Sequence, residues 1–268
     1  MLQASKRASC ALVSACAVAL AAPAFGAVRT ETVSYRAGDT ELRGFAAWDA
    51  AVAGPRPGVV VVHEWYGLND FARAKAEELA RMGYVAFAAD MYGGGKVAAS
   101  TDEASALAGA VKGDRPLMRA RIAAAVAALR ARPECDAKRV AAIGFCFGGT
   151  TALELARSGA EVAGVVSFHG GLATPLPAGR GAIKARVLVL HGAADPYESE
   201  QEVAAFHKEM EESGADWQMV SYGHAVHSFT NPAAGDDPSR GAAYDAKAAA
   251  RSWEAMRLFF REIFAAGS

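Results

Sequence analysis

The sequence predicts an α/β fold: a mostly parallel central sheet with helices on both faces and an antiparallel start at its N-terminal end. Apolar segments of strand length alternate with segments of helical character, as in parallel sheets covered by crossover helices. The β-branched run at 59–62 is typical of a strand buried on both faces. Several polar or reactive residues follow predicted strand ends, where such sheets bind ligands: Glu64, Asp90, Cys146, His169, Asp195 and His227.

The antiparallel start is predicted from two strands at 32–36 and 41–48, where apolar and polar residues alternate around a turn at 37–39. Further strands are predicted at 59–62, 84–88, 139–143, 162–168, 186–190 and 217–222. Helices are predicted at 70–82, 98–111, 115–131, 150–156, 199–212 and 245–264. Because no internal repeat or low-complexity linker divides the chain, we expect residues 28–268 to form a single domain.

The composition is that of an ordinary globular protein. Of 268 residues, 52% are hydrophobic and 21% are charged, and the formal net charge is −1. The charge balance and the lack of a basic run give no reason to expect nucleic acid or an anionic membrane as a partner. No His/Cys spacing indicates a metal site, and the glycines at 93–95 lack a phosphate-binding pattern, so no metal or cofactor is expected. We expect a small-molecule substrate and a monomeric protein.

Residues 1–27 are interpreted as a secretory signal peptide. Lys6 and Arg7 precede an apolar segment at 11–22 that is too short to span a bilayer, and small residues follow at possible cleavage positions. We therefore expect a periplasmic or secreted protein that leaves the membrane after cleavage near residues 25–28. An uncleaved anchor, or a lipoprotein processed at Cys16, are the alternatives.

Two cysteines remain after removal of the predicted signal, Cys135 and Cys146. Two thiols do not make a disulfide scaffold. A predicted strand, about 20 Å long, separates them, which disfavours a bridge between them. An exposed reactive thiol in an oxidising compartment is vulnerable to oxidation.

Cys146 stands at the apex of a predicted strand–turn–helix, in the segment Gly144-Phe145-Cys146-Phe147-Gly148. This pattern is typical of a nucleophile elbow, in which the apex residue is strained and a side chain at either glycine would collide with neighbouring backbone. The N–H groups at the start of the following helix favour a thiolate. The alternative is a small buried cysteine in a glycine-rich turn.

An acid and a histidine follow this cysteine in the order found in α/β-hydrolases, Asp195 and then His227. In such a triad the histidine takes the thiol proton and the acid orients the imidazole. As alternatives, Asp195 is a turn or cap residue, and His224 in the same loop competes with His227. His169 and His191 are interpreted as structural residues that line or support the cleft.

Four segments together resemble the dienelactone hydrolase family of the α/β-hydrolase superfamily: His63-Glu64-Trp65-Tyr66-Gly67-Leu68-Asn69, Gly144-Phe145-Cys146-Phe147-Gly148-Gly149, His191-Gly192-Ala193-Ala194-Asp195-Pro196 and Tyr222-Gly223-His224-Ala225-Val226-His227-Ser228-Phe229. The resemblance extends in order from about residue 32 to residue 264. It implies an α/β-hydrolase fold with a catalytic triad of Cys146, His227 and Asp195.

The same resemblance implies an oxyanion hole made by the backbone N–H groups of Trp65 and Phe147. It also implies that Glu64 contacts the resting thiol and helps to activate it when substrate binds. A nearby carboxylate disfavours the thiolate until it moves, which gives this role a physical basis. From its position alone, Glu64 would be a solvated loop acid or the partner of an arginine.

The substrate pocket is expected to be aromatic and to differ from that of the best-known lactonases of the family. Those enzymes bind a substrate carboxylate with two arginines; Asn231 stands at one of these positions, and no arginine occurs before Arg115 in the region of the other. We assign Tyr66, Tyr92, Phe229 and Asn231 to the pocket, with ordinary core packing as the alternative for the aromatic residues.

The sequence therefore predicts a hydrolase of small carboxylic esters or lactones that forms an acyl-enzyme intermediate on Cys146. One alternative is a redox-sensing or small-molecule-binding protein on a hydrolase scaffold. Another is a hydrolase of thioesters or of polysaccharide acetyl groups.

Overall fold

The computed structural model describes residues 28–265 and is built around one sheet. Its strands are β1 (Val28–Ala37), β2 (Thr40–Asp49), β3 (Arg56–Val62), β4 (Val85–Ala89), β5 (Cys135–Phe145), β6 (Gly164–Phe168), β7 (Arg186–Gly192) and β8 (Trp217–Tyr222). They lie in the order β1-β2-β4-β3-β5-β6-β7-β8. β2 pairs antiparallel with β1 and β4, and the pairs from β4 to β8 are parallel. The predicted mostly parallel sheet with an antiparallel start is confirmed. The predicted signal peptide lies outside the described residues.

Within the described residues, five α-helices lie between strands and a sixth follows β8: α1 (Asp70–Arg81), α2 (Thr101–Gly113), α3 (Arg115–Arg130), α4 (Phe147–Arg157), α5 (Glu200–Ser213) and α6 (Ala246–Ala265). Their starts follow ordinary capping chemistry. The side chain of Asn69 accepts a hydrogen bond from the first turn of α1, and Ser199 forms a reciprocal capping box with Glu202 at the start of α5.

The helices cover both faces of the sheet, as the β-branched run in β3 predicts. Val60 and Val62 belong to one apolar core, whereas Val59 and Val61 belong to the other, because successive side chains of a strand point to opposite faces. The first core is completed by residues from α2 to α5, and the second by residues from α1 and α6.

Several element boundaries differ from those predicted, among them the starts of β1, β3, β5 and α2. β5 begins at Cys135 instead of residue 139, because the start of β3 pairs with Cys135 and Asp136 before the register shifts. α2 begins at residue 101 instead of 98, because Ser100 caps it and the N–H of Ala98 donates to the carbonyl of Tyr66. Both of these boundaries depend on contacts between residues far apart in the chain, which local sequence patterns do not predict.

The topology brings the loops after β3, β5, β7 and β8 to one edge of the sheet, because these strands are parallel. Within residues 28–265, none of the helices combines the length and the apolar character that crossing a membrane requires.

Candidate active site

Cys146 occupies a sharp turn between β5 and α4. Its backbone has φ 54° and ψ −116°, a conformation that is strained for any residue with a side chain. The turn brings backbone segments very close together: a Cβ at Gly144 would overlap the carbonyl of Gly148, and one at Gly148 would overlap the carbonyl of Val62. Glycine is therefore required at both positions that flank the cysteine.

His169 supports the backbone of this turn. The N–H of Cys146 donates to the carbonyl of Phe168 at 3.0 Å and to Nδ1 of His169 at 3.1 Å. Because Nδ1 accepts this bond, the ring proton lies on Nε2, which donates to Oγ1 of Thr230 at 2.7 Å. Burial is the main cause that lowers the pKa of His169, and the charge of nearby His227 lowers it further. His169 is thus a neutral supporting histidine, in line with the structural interpretation given to it.

His227 joins Asp195 and the thiol. Nδ1 of His227 lies 2.8 Å from Oδ2 of Asp195, whose side chain is fully buried just after β7. Burial, the largest influence, lowers the pKa of His227, but the Asp195 carboxylate and a hydrogen bond with the Cys146 thiol outweigh it and raise the pKa to about 10. The competing His224 is exposed on a turn. Of the two candidate histidines, His227 is therefore the one that contacts Asp195 and lines the cavity of Cys146.

Trp65 and Phe147, the residues expected to supply oxyanion N–H groups, line the same cavity as Cys146. The hydroxyl of Tyr92 donates to the carbonyl of Trp65 at 2.7 Å. His63, next to Glu64, is fully buried; burial, the main cause, lowers its pKa to about 4, which keeps the ring neutral. Its Nδ1 donates to the carbonyl of Glu64 at 2.5 Å, so the loop that carries Trp65 is held from both sides.

Glu64 is held by groups other than the thiol. Its Oε2 accepts a hydrogen bond from the amide of Asn231, and its Oε1 accepts one from Ser228 at 3.4 Å. Among the residues that the structure describes, Glu64 makes no hydrogen bond with Cys146, in contrast to the contact that the resemblance implies. Burial, the main cause, raises the pKa of Glu64, whereas Asn231, His227 and Ser228 lower it. Glu64 therefore interacts with His227 through charge.

A cavity of about 390 Å³ opens over Cys146. Its lining residues are Trp65, Lys112, Cys146, Phe147, Thr150, Gly171, Tyr197, Glu198, His227, Ser228 and Ala242. The ring of Tyr197 stands edge-on to His227, with centroids 5.3 Å apart. The same part of the chain, 28–265, contains no group of three or more His, Cys, Asp or Glu side chains arranged to bind a metal ion.

The four residues assigned to the pocket, Tyr66, Tyr92, Phe229 and Asn231, are not among the residues that line this cavity. Tyr66 packs against Trp65, and Tyr92 packs against His63 and Phe147. Phe229 is fully buried against Tyr222 and His169, and so belongs to the core. Asn231 reaches the site through Glu64.

Sequence reasoning missed several lining residues: Lys112, Thr150, Gly171, Tyr197, Glu198, Ser228 and Ala242. Helix geometry offered a signal for Thr150, because a residue four positions after Cys146 lies one turn further along the same side of α4. Glu198 lies in the turn that carries Asp195. For Lys112, at the distant end of α2, the sequence contains no such signal.

Comparison with known proteins agrees with this architecture. The sequence model of the Dienelactone hydrolase family matches residues 42–264. The crystal structure of a dienelactone hydrolase-like promiscuous phosphotriesterase, P91, from metagenomic libraries is 46% identical; the match has a TM-score of 0.83 and covers 89% of this chain and 99% of that one.

Two curated relatives extend the comparison. An uncharacterized protein of Caenorhabditis elegans is 41% identical over 156 residues, which is 55% of this chain and 95% of that protein. A putative carboxymethylenebutenolidase of Aquifex aeolicus is 28% identical over 235 residues, which is 86% of this chain and 97% of that protein. The chain belongs to the dienelactone hydrolase family, within the α/β-hydrolase superfamily, and is an ester or lactone hydrolase.

Proposed function

We propose that this hydrolase cleaves small carboxylic esters or lactones through an acyl-thioester on Cys146, with His227 as the proton carrier and Asp195 as its orienting acid. The observation that carries the proposal is that Cys146 and His227 line the same cavity of about 390 Å³, with Nδ1 of His227 2.8 Å from Oδ2 of Asp195. A buried carboxylate on one side of an imidazole and a thiol on the other favour a thiolate–imidazolium pair.

The proposed reaction starts with attack of the Cys146 thiolate on the carbonyl carbon of the substrate. The resulting oxyanion is stabilised by the backbone N–H groups of Phe147 and Trp65. When this intermediate collapses, the leaving oxygen takes the proton from Nε2 of His227, and an acyl-thioester remains. Water then gives a proton to Nε2 and attacks the thioester, which releases the carboxylic acid and restores the thiolate.

Glu64 contributes to this cycle through charge. Burial raises the pKa of Glu64, and the hydrogen bonds from Asn231 and Ser228 oppose this rise; the ionised carboxylate stabilises the His227 imidazolium. Because Asn231 is an uncharged amide that is already bonded to Glu64, this position supplies no cation for a substrate carboxylate. We therefore propose neutral esters or lactones as substrates in preference to dienelactone itself.

The proposal includes export: residues 1–27 direct the chain to the periplasm or outside the cell, where the processed protein acts as a monomer without a cofactor. N-terminal sequencing of the protein recovered from the periplasmic and membrane fractions tests this step. Processing near residues 25–28 supports it, and an intact N-terminus in the cytoplasm contradicts it.

Trapping the intermediate tests the nucleophile. We expect rapid mixing with p-nitrophenyl acetate to give a burst of p-nitrophenol and an intact mass increased by one acetyl group on Cys146. Cys146→Ala should lower kcat by at least about 10³-fold and abolish the adduct. Cys135→Ala is the matched control, since this second thiol is buried away from the cavity. Equal turnover in wild type and Cys146→Ala would refute the proposal.

A second candidate activity comes from the metagenomic relative, which is described as a promiscuous phosphotriesterase and is 46% identical. We propose that a phosphotriester enters the same cavity, where the Cys146 thiolate attacks phosphorus and the aryloxide leaves; water then hydrolyses the sulfur–phosphorus bond and restores the thiol. Turnover of a p-nitrophenyl dialkyl phosphate that disappears in Cys146→Ala supports this activity, and turnover that persists in the variant contradicts it.

A further inference from the structure

We propose that Glu198 and Thr150 form a hydroxyl-binding subsite in the cavity of Cys146, which selects esters that carry a hydroxyl or amino group beyond the scissile bond. The inference rests on the proposed function of the same cavity. It adds the chemical class of substrate and the two side chains that recognise it.

Glu198 is held rigidly with one carboxylate oxygen free. Oε2 accepts a hydrogen bond from the N–H of Leu172 at 3.0 Å, and the carbonyl of Leu172 is in turn bound by Arg157 at 2.7 Å. The backbone of Glu198 lies in the turn of Asp195 and directly precedes the capped start of α5. Oε1 accepts no hydrogen bond from any residue between 28 and 265. A fixed carboxylate with a free oxygen is suited to binding a donor from a ligand.

Thr150 supplies a second unpaired oxygen. It lies in the first turn of α4, about 6 Å along the helix axis from Cys146 for a rise of ~1.5 Å per residue. The residue is 1% exposed, and its Oγ1 has no hydrogen-bond partner within the described chain. The neighbouring Thr151 differs, since its Oγ1 donates to the carbonyl of Phe147 at 2.9 Å. Buried hydroxyls are normally paired, so an unpaired one in a cavity wall points to a ligand.

Gly171 shows that the two oxygens converge on one small space. A Cβ added to Gly171 would lie 3.0 Å from Oγ1 of Thr150 and 3.2 Å from Oε1 of Glu198. The hydrogen of glycine leaves this space open to the cavity, which all three residues line together with Cys146. A substrate hydroxyl placed there donates to Glu198 and accepts from Thr150.

The charge of the subsite decides which substrates it takes. Burial, the main cause, raises the pKa of Glu198 to about 7, so the ionised and the protonated forms are both present near neutral pH. A substrate carboxylate has no proton to donate and is repelled by the ionised form, whereas a hydroxyl or ammonium group binds it. Lys112, exposed at the cavity rim, is the group that would favour a carboxylate instead.

Three p-nitrophenyl esters with acyl chains of the same length test whether the subsite prefers a plain, a hydroxyl-bearing or a carboxylate-bearing acyl group: the butyrate, the 3-hydroxybutyrate and the hydrogen succinate. For the wild-type protein we expect kcat/KM to be about tenfold higher for the hydroxy ester than for the butyrate, and lowest for the succinate. Glu198→Met and Thr150→Val should each lower the ratio of hydroxy ester to butyrate, by about tenfold and about fivefold. Glu200→Met, an exposed glutamate of the same helix start, is the control that leaves the ratio unchanged.

Gly171→Ala provides a second route to the same test, because its methyl group fills the space between the two oxygens without removing either. It should lower the same ratio about fivefold. An unaltered ratio in all three subsite variants, with Cys146-dependent hydrolysis intact, would overturn the subsite and leave the proposed function standing. A preference for the succinate that is lost in Lys112→Met would overturn it as well. Absence of hydrolysis of all three esters by the wild-type protein would refute the proposed function and the subsite together.

Discussion

The side-chain amide of Asn231 donates a hydrogen bond to Glu64, although the two residues are 167 positions apart in the chain. Asn231 also begins a short 3₁₀ helix, Pro232–Ala234, where its Oδ1 accepts a hydrogen bond from Ala233 at 3.0 Å. The amide is therefore fixed by both of its polar atoms. In the lactonases that the sequence resembles, an arginine at this position binds substrate; here the side chain at this position binds the carboxylate of Glu64.

Asn231→Leu should shift the acidic limb of the kcat/KM profile to higher pH. Burial raises the pKa of Glu64, and the hydrogen bond from Asn231 lowers it, so removing that bond leaves the carboxyl protonated up to a higher pH. At neutral pH we expect kcat/KM to fall about tenfold, with recovery as the pH rises. The profile of a neutral p-nitrophenyl ester measures this shift. Glu64→Gln, which cannot ionise, should show no such limb, and an identical limb in wild type and Asn231→Leu would refute the role given to Glu64.

Asp195→Asn should lower kcat by about 10³-fold while the fold persists. The carboxylate fixes the proton on Nδ1 of His227 and stabilises the imidazolium, and an amide does neither. Oδ1 of Asp195 also accepts a hydrogen bond from the N–H of Tyr197 at 2.9 Å, which an asparagine oxygen can retain. Steady-state kinetics and thermal unfolding, measured beside the exposed Asp102→Asn as control, separate the two effects. A kcat within about twofold of wild type would remove Asp195 from the mechanism.

The fold and the order of the reactive residues are predictable from sequence because they depend on local patterns. Apolar runs such as Val59–Val62 define strands, and the two glycines around Cys146 define the elbow. The partners of Glu64 and the lining formed by Lys112, Thr150 and Glu198 are not predictable in this way. These contacts form where α2, α4 and two loops come together, and the sequence alone does not show which side chains meet there. Phe229 shows the converse: an aromatic residue next to the site packs into the core.

Gly144→Ala should prevent normal folding of the elbow. Its methyl group would overlap the carbonyl of Gly148, and this backbone contact has no flexible side chain that could move aside. We expect the free energy of unfolding to fall by more than about 3 kcal/mol, or soluble protein to be lost. Gly109→Ala is the matched control: it lies in α2 with open space around it and should stabilise the helix by up to about 1 kcal/mol. Urea unfolding of both variants makes the comparison, and a Gly144→Ala protein as stable as wild type would show that the turn relaxes.

Acid should destabilise the protein through its buried histidines. Burial, the largest influence, lowers the pKa of His63 to about 4, and the pKa of His169 is lowered for the same reason. In the unfolded chain both have ordinary values near 6.5. Between these pH values the unfolded chain binds protons that the folded protein does not, so the free energy of unfolding falls as the pH drops. The neutral buried histidines make their full contribution to the free energy of unfolding above about pH 6.5. The contribution of His63 decreases by about 3 kcal/mol as the pH approaches 4.

His63→Gln should flatten this dependence. The variant removes one of the buried histidines with a lowered pKa and so should lose about 3 kcal/mol less between pH 6.5 and 4, although it starts from a lower stability. The free energy of unfolding is lower at neutral pH because the variant disturbs two hydrogen bonds of the His63 ring. One is donated to the carbonyl of Glu64, and the other is accepted from the N–H of Met91. Urea unfolding across this pH range measures the slope, with the exposed His224→Asn as a control that should match wild type. If His63→Gln and wild type lose stability in parallel, the neutral state of His63 is not what makes the fold sensitive to acid, and the acid sensitivity must come from other groups.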